Sequence, residues 1–206
     1  MPPLFLGRCT CHIYLMSLIR FLLICLLGAL VGAWTLDRVA YADPAKLIVI
    51  DQNLRQDFSR IGHMTAEELD ALRADGAQPV FLDVRPYREF AVGHIEGAIQ
   101  ISPWASAKTV QKALEGVSPD QPIIFYCSVG VRSSRLAERA RGRLEKSGVT
   151  SIYNLSGGVF AWHNKSRPLM DVSGMTDLVH PYDRPRRKLL VHQDLISTRP
   201  RAEVRE

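Results

Sequence analysis

Cysteine is scarce in this chain, and what there is lies in the wrong places for a disulfide framework. Four cysteines occur in 206 residues, and Cys9, Cys11 and Cys25 all fall within the first 25. Cys127 stands alone in the remainder, so a domain folded there has no internal disulfide. Cys9 and Cys11 lack the second pair that would complete a zinc site. His63, His163, His180 and His192 show no ligand spacing, so neither a metal nor a cofactor is expected. There is no internal repeat and no low-complexity block. The apolar share of 47% and charged share of 23% are those of a globular chain. A net charge of +5 favours anionic partners, but the basic residues are not gathered into a motif, which argues against nucleic acid.

No uncharged run reaches the ~20 residues of a comfortable membrane span. The longest, residues 21–36, reads FLLICLLGALVGAWTL, with Arg20 before it and Asp37 and Arg38 after it. A basic start followed by such a run suits a secretory signal. Ala40-Tyr41-Ala42 supplies the small-x-small pattern of a cleavage site. A helix of a folded domain would need a polar face, and this run has none. Residues 1–42 are therefore expected to be a signal peptide or an N-terminal membrane anchor through 21–36, with Met16 offering a second, more compact start. Either form sends the domain to the exported, periplasmic side.

Residues 43–60 are mixed; LIVID at 47–51 suits a short strand or a linker. Regular signals begin at Thr65. Thr65 and Glu68 form a capping box for a helix that stops near Gly76. VFLDV at 80–84 reads as a buried strand. A short helical piece follows at 86–90, then AIQI as another strand. Val110, Ala113, Leu114 and Val117 have helical spacing. PIIFYC at 122–127 is the second clear buried strand, and the helix after it sets Leu136, Ala140 and Leu144 on one face. SIYNL at 151–155 is a strand and GGVFAWHN a last short helix. Strand and helix alternate throughout, which predicts an α/β fold with a central parallel sheet of about five strands and helices on both faces. Reactive groups in such sheets sit at the carboxyl ends of strands, where Cys127 stands.

The loop after that strand is CSVGVRS. Helix amides and the positive end of a helix dipole favour an anion, so they should lower the pKa of the Cys127 thiol. Arg132 adds a full charge, Gly130 lets the backbone turn so that amides converge, and Ser133 or Ser134 suits a helix cap. Such a cradle is the requirement for nucleophilic catalysis by cysteine. An inert cysteine closing a core strand is the bland alternative. The glycine, arginine and serines ahead of an amphipathic helix favour the reactive site.

Three motifs carry a resemblance to the rhodanese family of sulfurtransferases. The first is Asp83-Val84-Arg85 with Glu89-Phe90, Gly93-His94-Ile95 and Gly97-Ala98. The second is Cys127, Gly130, Arg132 and Ser133; the third is Asn154, Leu155, Gly157, Gly158 and Trp162. They stand in order over about residues 60–170. The resemblance implies a rhodanese-like domain at 61–172 and a persulfide formed on Cys127, with Ser128, Val129, Gly130, Val131, Arg132 and Ser133 as the substrate-binding loop. It implies a small anionic sulfur donor, thiosulfate or a persulfide or polysulfide, and a thiol or cyanide acceptor. A non-catalytic or sulfur-delivery module serving a partner protein is the alternative. Phosphatases of the same fold place five residues between cysteine and arginine. Here Ser128 to Val131 make four, which disfavours phosphatase or arsenate reductase activity. The best-known thiosulfate sulfurtransferases carry cations where this chain has Ser128 and Val129, so the loop by itself is short of charge for a dianion.

Asp83 and Arg85 end a strand on the edge that Cys127 shares, where they either brace the loop or form a structural ion pair. His94 is expected to be a turn residue and Trp162 core. Arg135 and Arg139 are expected to line a solvated helix face. Residues 173–206 read as a basic C-terminal tail, disordered from 197.

Overall fold

All four residues of the strand Ile123–Tyr126 are buried, as a strand covered on both faces requires. The computed structural model describes residues 42–201, and this strand is the middle of its five-stranded sheet. In chain order the sheet comprises β1 (Gly62–Met64), β2 (Val80–Asp83), β3 (Ile99–Gln100), β4 (Ile123–Tyr126) and β5 (Ile152–Leu155). They lie side by side as β1-β5-β4-β2-β3, and every pairing is parallel. The expected parallel α/β sheet is therefore present.

Period-two alternation along β4 divides the core in two. Ile124 and Tyr126 face one apolar cluster, Ile123 and Phe125 the other. The first cluster is closed by α1 (Ala45–Asp57), α2 (Ala66–Ala74) and α6 (Gly158–Asn164), through Leu47, Leu69 and Phe160. The second is closed by α4 (Ala107–Ala113) and α5 (Val131–Lys146), through Val110, Leu136, Ala140 and Leu144. A short α3 (Tyr87–Phe90) follows β2. The capping box of α2 forms as expected: Thr65 N–H donates to the Glu68 carboxylate at 2.7 Å, and Glu68 N–H to the Thr65 hydroxyl at 3.2 Å.

Two boundaries differ from the sequence reading. Residues 43–60 are not a linker, and LIVID is not a strand, because Ala45–Asp57 is helical. Leu47 and Leu54 lie seven residues apart, two helical turns, and both are buried, whereas Ile48 and Val49 stay exposed. The β-branched run has strand propensity, but burial of one face of a helix overrides it. An Arg55–Asp51 pair at 2.8 Å ties successive turns on the outside.

Nor is the segment after residue 172 a loose tail. A hairpin of β6 (Leu169–Asp171) and β7 (Gly174–Thr176) leads to Val179, which exchanges backbone hydrogen bonds with Leu195 and Ser197. Asp183 caps a one-turn helix, α7 (Arg184–Arg187), and Leu189 and Leu190 enter the first core cluster. Residues 197–201 are placed as well: Ser197 N–H donates to the Val179 carbonyl at 3.1 Å. Arg-rich composition hid three apolar residues whose burial holds the segment down. Leu190→Ala is expected to cost about 2–5 kcal/mol, read as a lower urea midpoint. An unchanged midpoint would return the segment to a mere tail.

The expected signal or anchor, with the run at 21–36, lies outside the described residues. Among the described residues no helix is long and apolar enough to cross a membrane.

Candidate active site

Cys127 directly follows β4 and is 1% exposed. Gly130, at φ 96°, turns the chain in the left-handed region that favours glycine and becomes the N-cap residue of α5. A β-carbon there would stand 3.0 Å from both the Asn154 amide nitrogen and Leu54 of α1. The loop is thus pressed between the third motif and the helix that the sequence reading took for a linker.

The neighbouring segment closes the other side. Gly158, at φ 58°, begins α6, and a β-carbon on it would come within 2.3 Å of the Cys127 carbonyl oxygen. That closeness lets the Val159 and Phe160 amides donate to the Cys127 and Ser128 carbonyls at 2.9 and 3.1 Å. Gly158 of the third motif is therefore a packing requirement of the cysteine loop, whereas a β-carbon on Gly157 would meet Ala161 of α6.

Burial alone would raise the Cys127 thiol pKa. The Arg132 charge, the Ser133 hydroxyl and the backbone amides of Ser133 and Val129 outweigh it, and the net direction is down. The thiolate therefore persists at pH values where an ordinary cysteine is mostly protonated, and reactivity falls as pH drops through the lowered pKa. Neither serine caps the helix as expected. Ser133 and Ser134 lie inside α5, and both hydroxyls donate back to the Gly130 carbonyl, at 3.0 and 2.8 Å. Ser133 also reaches the side-chain amide oxygen Oδ1 of Asn154 at 2.7 Å.

Glu89 is the residue that sequence reasoning missed as part of the site. It is 1% exposed, on α3, and its carboxylate accepts two hydrogen bonds from Arg132 at 3.0 and 2.8 Å. The Ser128 hydroxyl donates to it at 3.1 Å. Burial would raise the Glu89 pKa, but the Arg132 bond and charge prevail and hold it down. This bidentate pair fixes the guanidinium beside the sulfur and consumes part of its charge. The one available signal was Glu89's place in the first motif, four residues beyond Arg85. Arg132→Ala is expected to move the midpoint of the iodoacetamide pH–rate profile of Cys127 upward and slow alkylation at pH 7 at least about threefold. A midpoint that stays put would show that the helix amides suffice.

Asp83 and Arg85 do not join this cradle. Both are fully buried; Arg85 pairs with Asp83 and donates to the Gly93 carbonyl at 2.8 Å. They pin the turn after α3. His94 stacks on Phe90 with centroids 3.7 Å apart, and Trp162 is core, its indole N–H donating to the Pro168 carbonyl at 2.9 Å. Among the described residues no cluster of His, Cys, Asp or Glu could hold a metal.

Cys127 is among the residues lining a cavity of about 220 Å³. Ser128, Val129, Val131 and Arg132 of the expected loop line it, joined by Arg135, Tyr182 and Arg186. Gly130 and Ser133 shape the loop from behind. Arg135 thus belongs to the site rather than to a purely solvated helix face, whereas Arg139 bonds the Pro103 carbonyl at 2.9 Å.

A model of the rhodanese-like domain matches residues 65–165. A tRNA uridine(34) hydroxylase of Sodalis glossinidius (strain morsitans) is 30% identical over 112 residues, which are 53% of this chain and 30% of that protein. The enzyme of the same name from Escherichia coli O1:K1 / APEC is 30% identical over 114 residues, 54% of this chain and 31% of that one. The chain thus spans under a third of the length of these curated relatives. A thiosulfate sulfurtransferase structure from Pseudomonas aeruginosa is similar at TM-score 0.47 and 22% identity, covering 72% of this chain and 26% of that one. A polysulfide-sulfur transferase from Wolinella succinogenes is similar at TM-score 0.45 and 19% identity, over 61% and 90% of the two chains.

Proposed function

From the premise that this chain carries a rhodanese-like domain at residues 65–165, we propose that it is a sulfurtransferase working through a persulfide on Cys127. The observation that carries the reading is Cys127 itself: a buried thiol whose pKa is held down by Arg132, Ser133 and the loop amides, in a residue that lines a small cavity. The Cys127 thiolate attacks the outer sulfur of the donor. A new sulfur–sulfur bond forms to Sγ, and the bond to the rest of the donor breaks, its electron pair leaving with that group. The terminal sulfur of the persulfide is anionic, so the same amides and guanidinium that favour the thiolate favour the product.

The second half-reaction needs an outside nucleophile. Cys127 is the free thiol of the described residues, and the other cysteines precede residue 26. An external thiol attacks the terminal sulfur and regenerates the Cys127 thiolate; cyanide does the same in an assay. The four residues between Cys127 and Arg132 favour sulfur over phosphoryl chemistry. The uridine hydroxylases' activity on tRNA belongs to much longer proteins, and a cavity of about 220 Å³ does not call for a polynucleotide. We place the domain on the exported side, behind the signal or anchor at 21–36.

Intact-mass measurement tests this. Incubation with thiosulfate or polysulfide should add one sulfur atom to the protein, and a small thiol should remove it catalytically. No adduct with any sulfane donor would sink the reading. An adduct that no small thiol removes would favour delivery to a partner protein instead.

A further inference from the structure

Asp43, where the chain enters the domain, is bonded to a basic turn near the other end of the sequence. Its amide donates to the Lys188 carbonyl at 2.7 Å. Arg184, Arg187 and Lys188 are exposed and stand at i, i+3 and i+4, so they share the outer face of α7 and its C-cap. Arg186, two positions from Arg184, falls on a different face and lines the Cys127 cavity. Its carboxylate partner is Asp183, and Asp43 is paired with Lys46 at 3.0 Å. Both neighbouring acids are thus taken, and among the described residues the three outer cations meet no carboxylate.

Apolar side chains lie exposed beside this charge. α1 begins two residues after Asp43, and Ile48 and Val49 in its first turns are 62% and 55% exposed. Val191, three residues past Lys188, is 43% exposed. Leu47, Leu189 and Leu190 of the same two segments enter the first core cluster, which fixes those segments against each other. Cations around exposed aliphatic side chains are the composition of a surface that settles into the headgroup region of a bilayer. A polynucleotide calls instead for aromatic rings among the cations, and the exposed apolar side chains here are aliphatic.

Chain length names the occupant. Six residues, Asp37 to Ala42, separate the uncharged run at 21–36 from Asp43, and a chain of that length reaches at most about 25 Å. We propose that Arg184, Arg187 and Lys188, with Ile48, Val49 and Val191, form a surface that lies on an anionic lipid membrane. On the exported placement given above, on which this rests, a run retained in the bilayer keeps Lys188 within that reach of it. After cleavage the surface alone holds the domain there. Each Lys or Arg close to anionic lipid strengthens binding about fivefold. Arg186 of the same turn lines the cavity, so the Cys127 site is held beside the lipid plane.

Both apolar clusters draw only on residues between Leu47 and Ile196, so the chain from Asp43 carries its own core. That chain, residues 43–206, is sedimented with vesicles of phosphatidylcholine alone and of phosphatidylcholine with about 30% phosphatidylglycerol. It should bind the second and not the first, and more weakly as salt is raised. Arg184→Gln with Lys188→Gln, two exposed side chains, should weaken binding about twentyfold at an unchanged unfolding midpoint. Ile48→Gln with Val49→Gln should weaken it about tenfold. Lys108→Gln with Lys112→Gln removes the same charge from α4, on the other face of the sheet, and should change binding less than about twofold. Equal losses from the two charge variants would reduce the effect to bulk charge and overturn the surface, as would no binding to either vesicle. A polynucleotide bound as tightly as the phosphatidylglycerol vesicle, and released by the same substitutions, would overturn the lipid assignment. Fractionation of bacteria making the full chain tests the placement separately. A full chain left in the cytosol, with vesicle binding intact, would sink the exported placement and keep the surface; an exported chain that ignores both vesicles would sink the surface alone.

Discussion

Cys127→Ser is expected to abolish sulfur loading and to cut turnover at least about a thousandfold, because an alcohol in that position is neither ionised nor a nucleophile toward sulfur. The substitution is the narrowest available. Serine keeps the side-chain shape, and the carbonyls of Cys127 and Ser128 keep their bonds to Val159 and Phe160, which come from the backbone. The unfolding midpoint should therefore change little, and the fold should report its own integrity. What disappears is the anion. The amides of Val129 and Ser133 and the charge of Arg132 are arranged around a thiolate, and in the variant they face a neutral hydroxyl. Intact mass after thiosulfate treatment, with turnover measured by sulfite release, checks both halves. A serine variant that still gained sulfur would place the nucleophile elsewhere.

The second large effect is on stability. Asp83→Ala should destabilise the protein by about 3–5 kcal/mol, a large share of the roughly 5–15 kcal/mol that holds a domain folded. Asp83 and Arg85 are both 0% exposed. The Arg85 side chain gives Asp83 bonds of 2.9, 3.1 and 2.5 Å, and the Arg85 amide gives another of 2.9 Å. Removing the carboxylate strands a full positive charge where no water reaches it. The pair also anchors the turn at Gly93, whose carbonyl takes an Arg85 donor. The double variant Asp83→Ala with Arg85→Leu should recover much of the loss, since it removes the stranded charge with its partner. Urea unfolding of both separates the accounts. If the single variant lost under 1 kcal/mol, the ion pair would not be the anchor described here.

These two residues show how unevenly the molecule could be read in advance. The ion pair was legible as a possibility because Asp83 and Arg85 are two apart at a strand end, the separation at which a carboxylate can meet both the amide and the guanidinium. Whether they braced the cysteine loop or the turn at Gly93 was not legible. Gly93 lies eight residues beyond Arg85, and only the path of the intervening chain brings it back. Likewise α5 is plain from its apolar face, but its first residues offer Ser133 and Ser134 as caps, which they are not. The cap position depends on where the chain turns, and it turns at Gly130, three residues before Ser133.

Residue order alone specifies the alternation of strand and helix, the parallel sheet that follows from it, and Cys127 between a buried strand and a helix N-terminus. Each of these rests on contiguous residues: burial period, capping chemistry, a glycine where the backbone must reverse. The tertiary structure alone decided what surrounds the sulfur. Glu89 reaches Arg132 across 43 positions, and Gly158 meets the Cys127 carbonyl from the next crossover. Leu54 comes from a helix read as linker, and Tyr182 and Arg186 from a segment read as tail. The physical reason is the same in every case. Local pattern tells a residue which face to bury, but the strand order β1-β5-β4-β2-β3 decides which distant segment arrives to bury it. A loop with no cation at Ser128 or Val129 gains Arg186 beside it from a segment whose place depends on Val179, Leu189 and Leu190 entering the core.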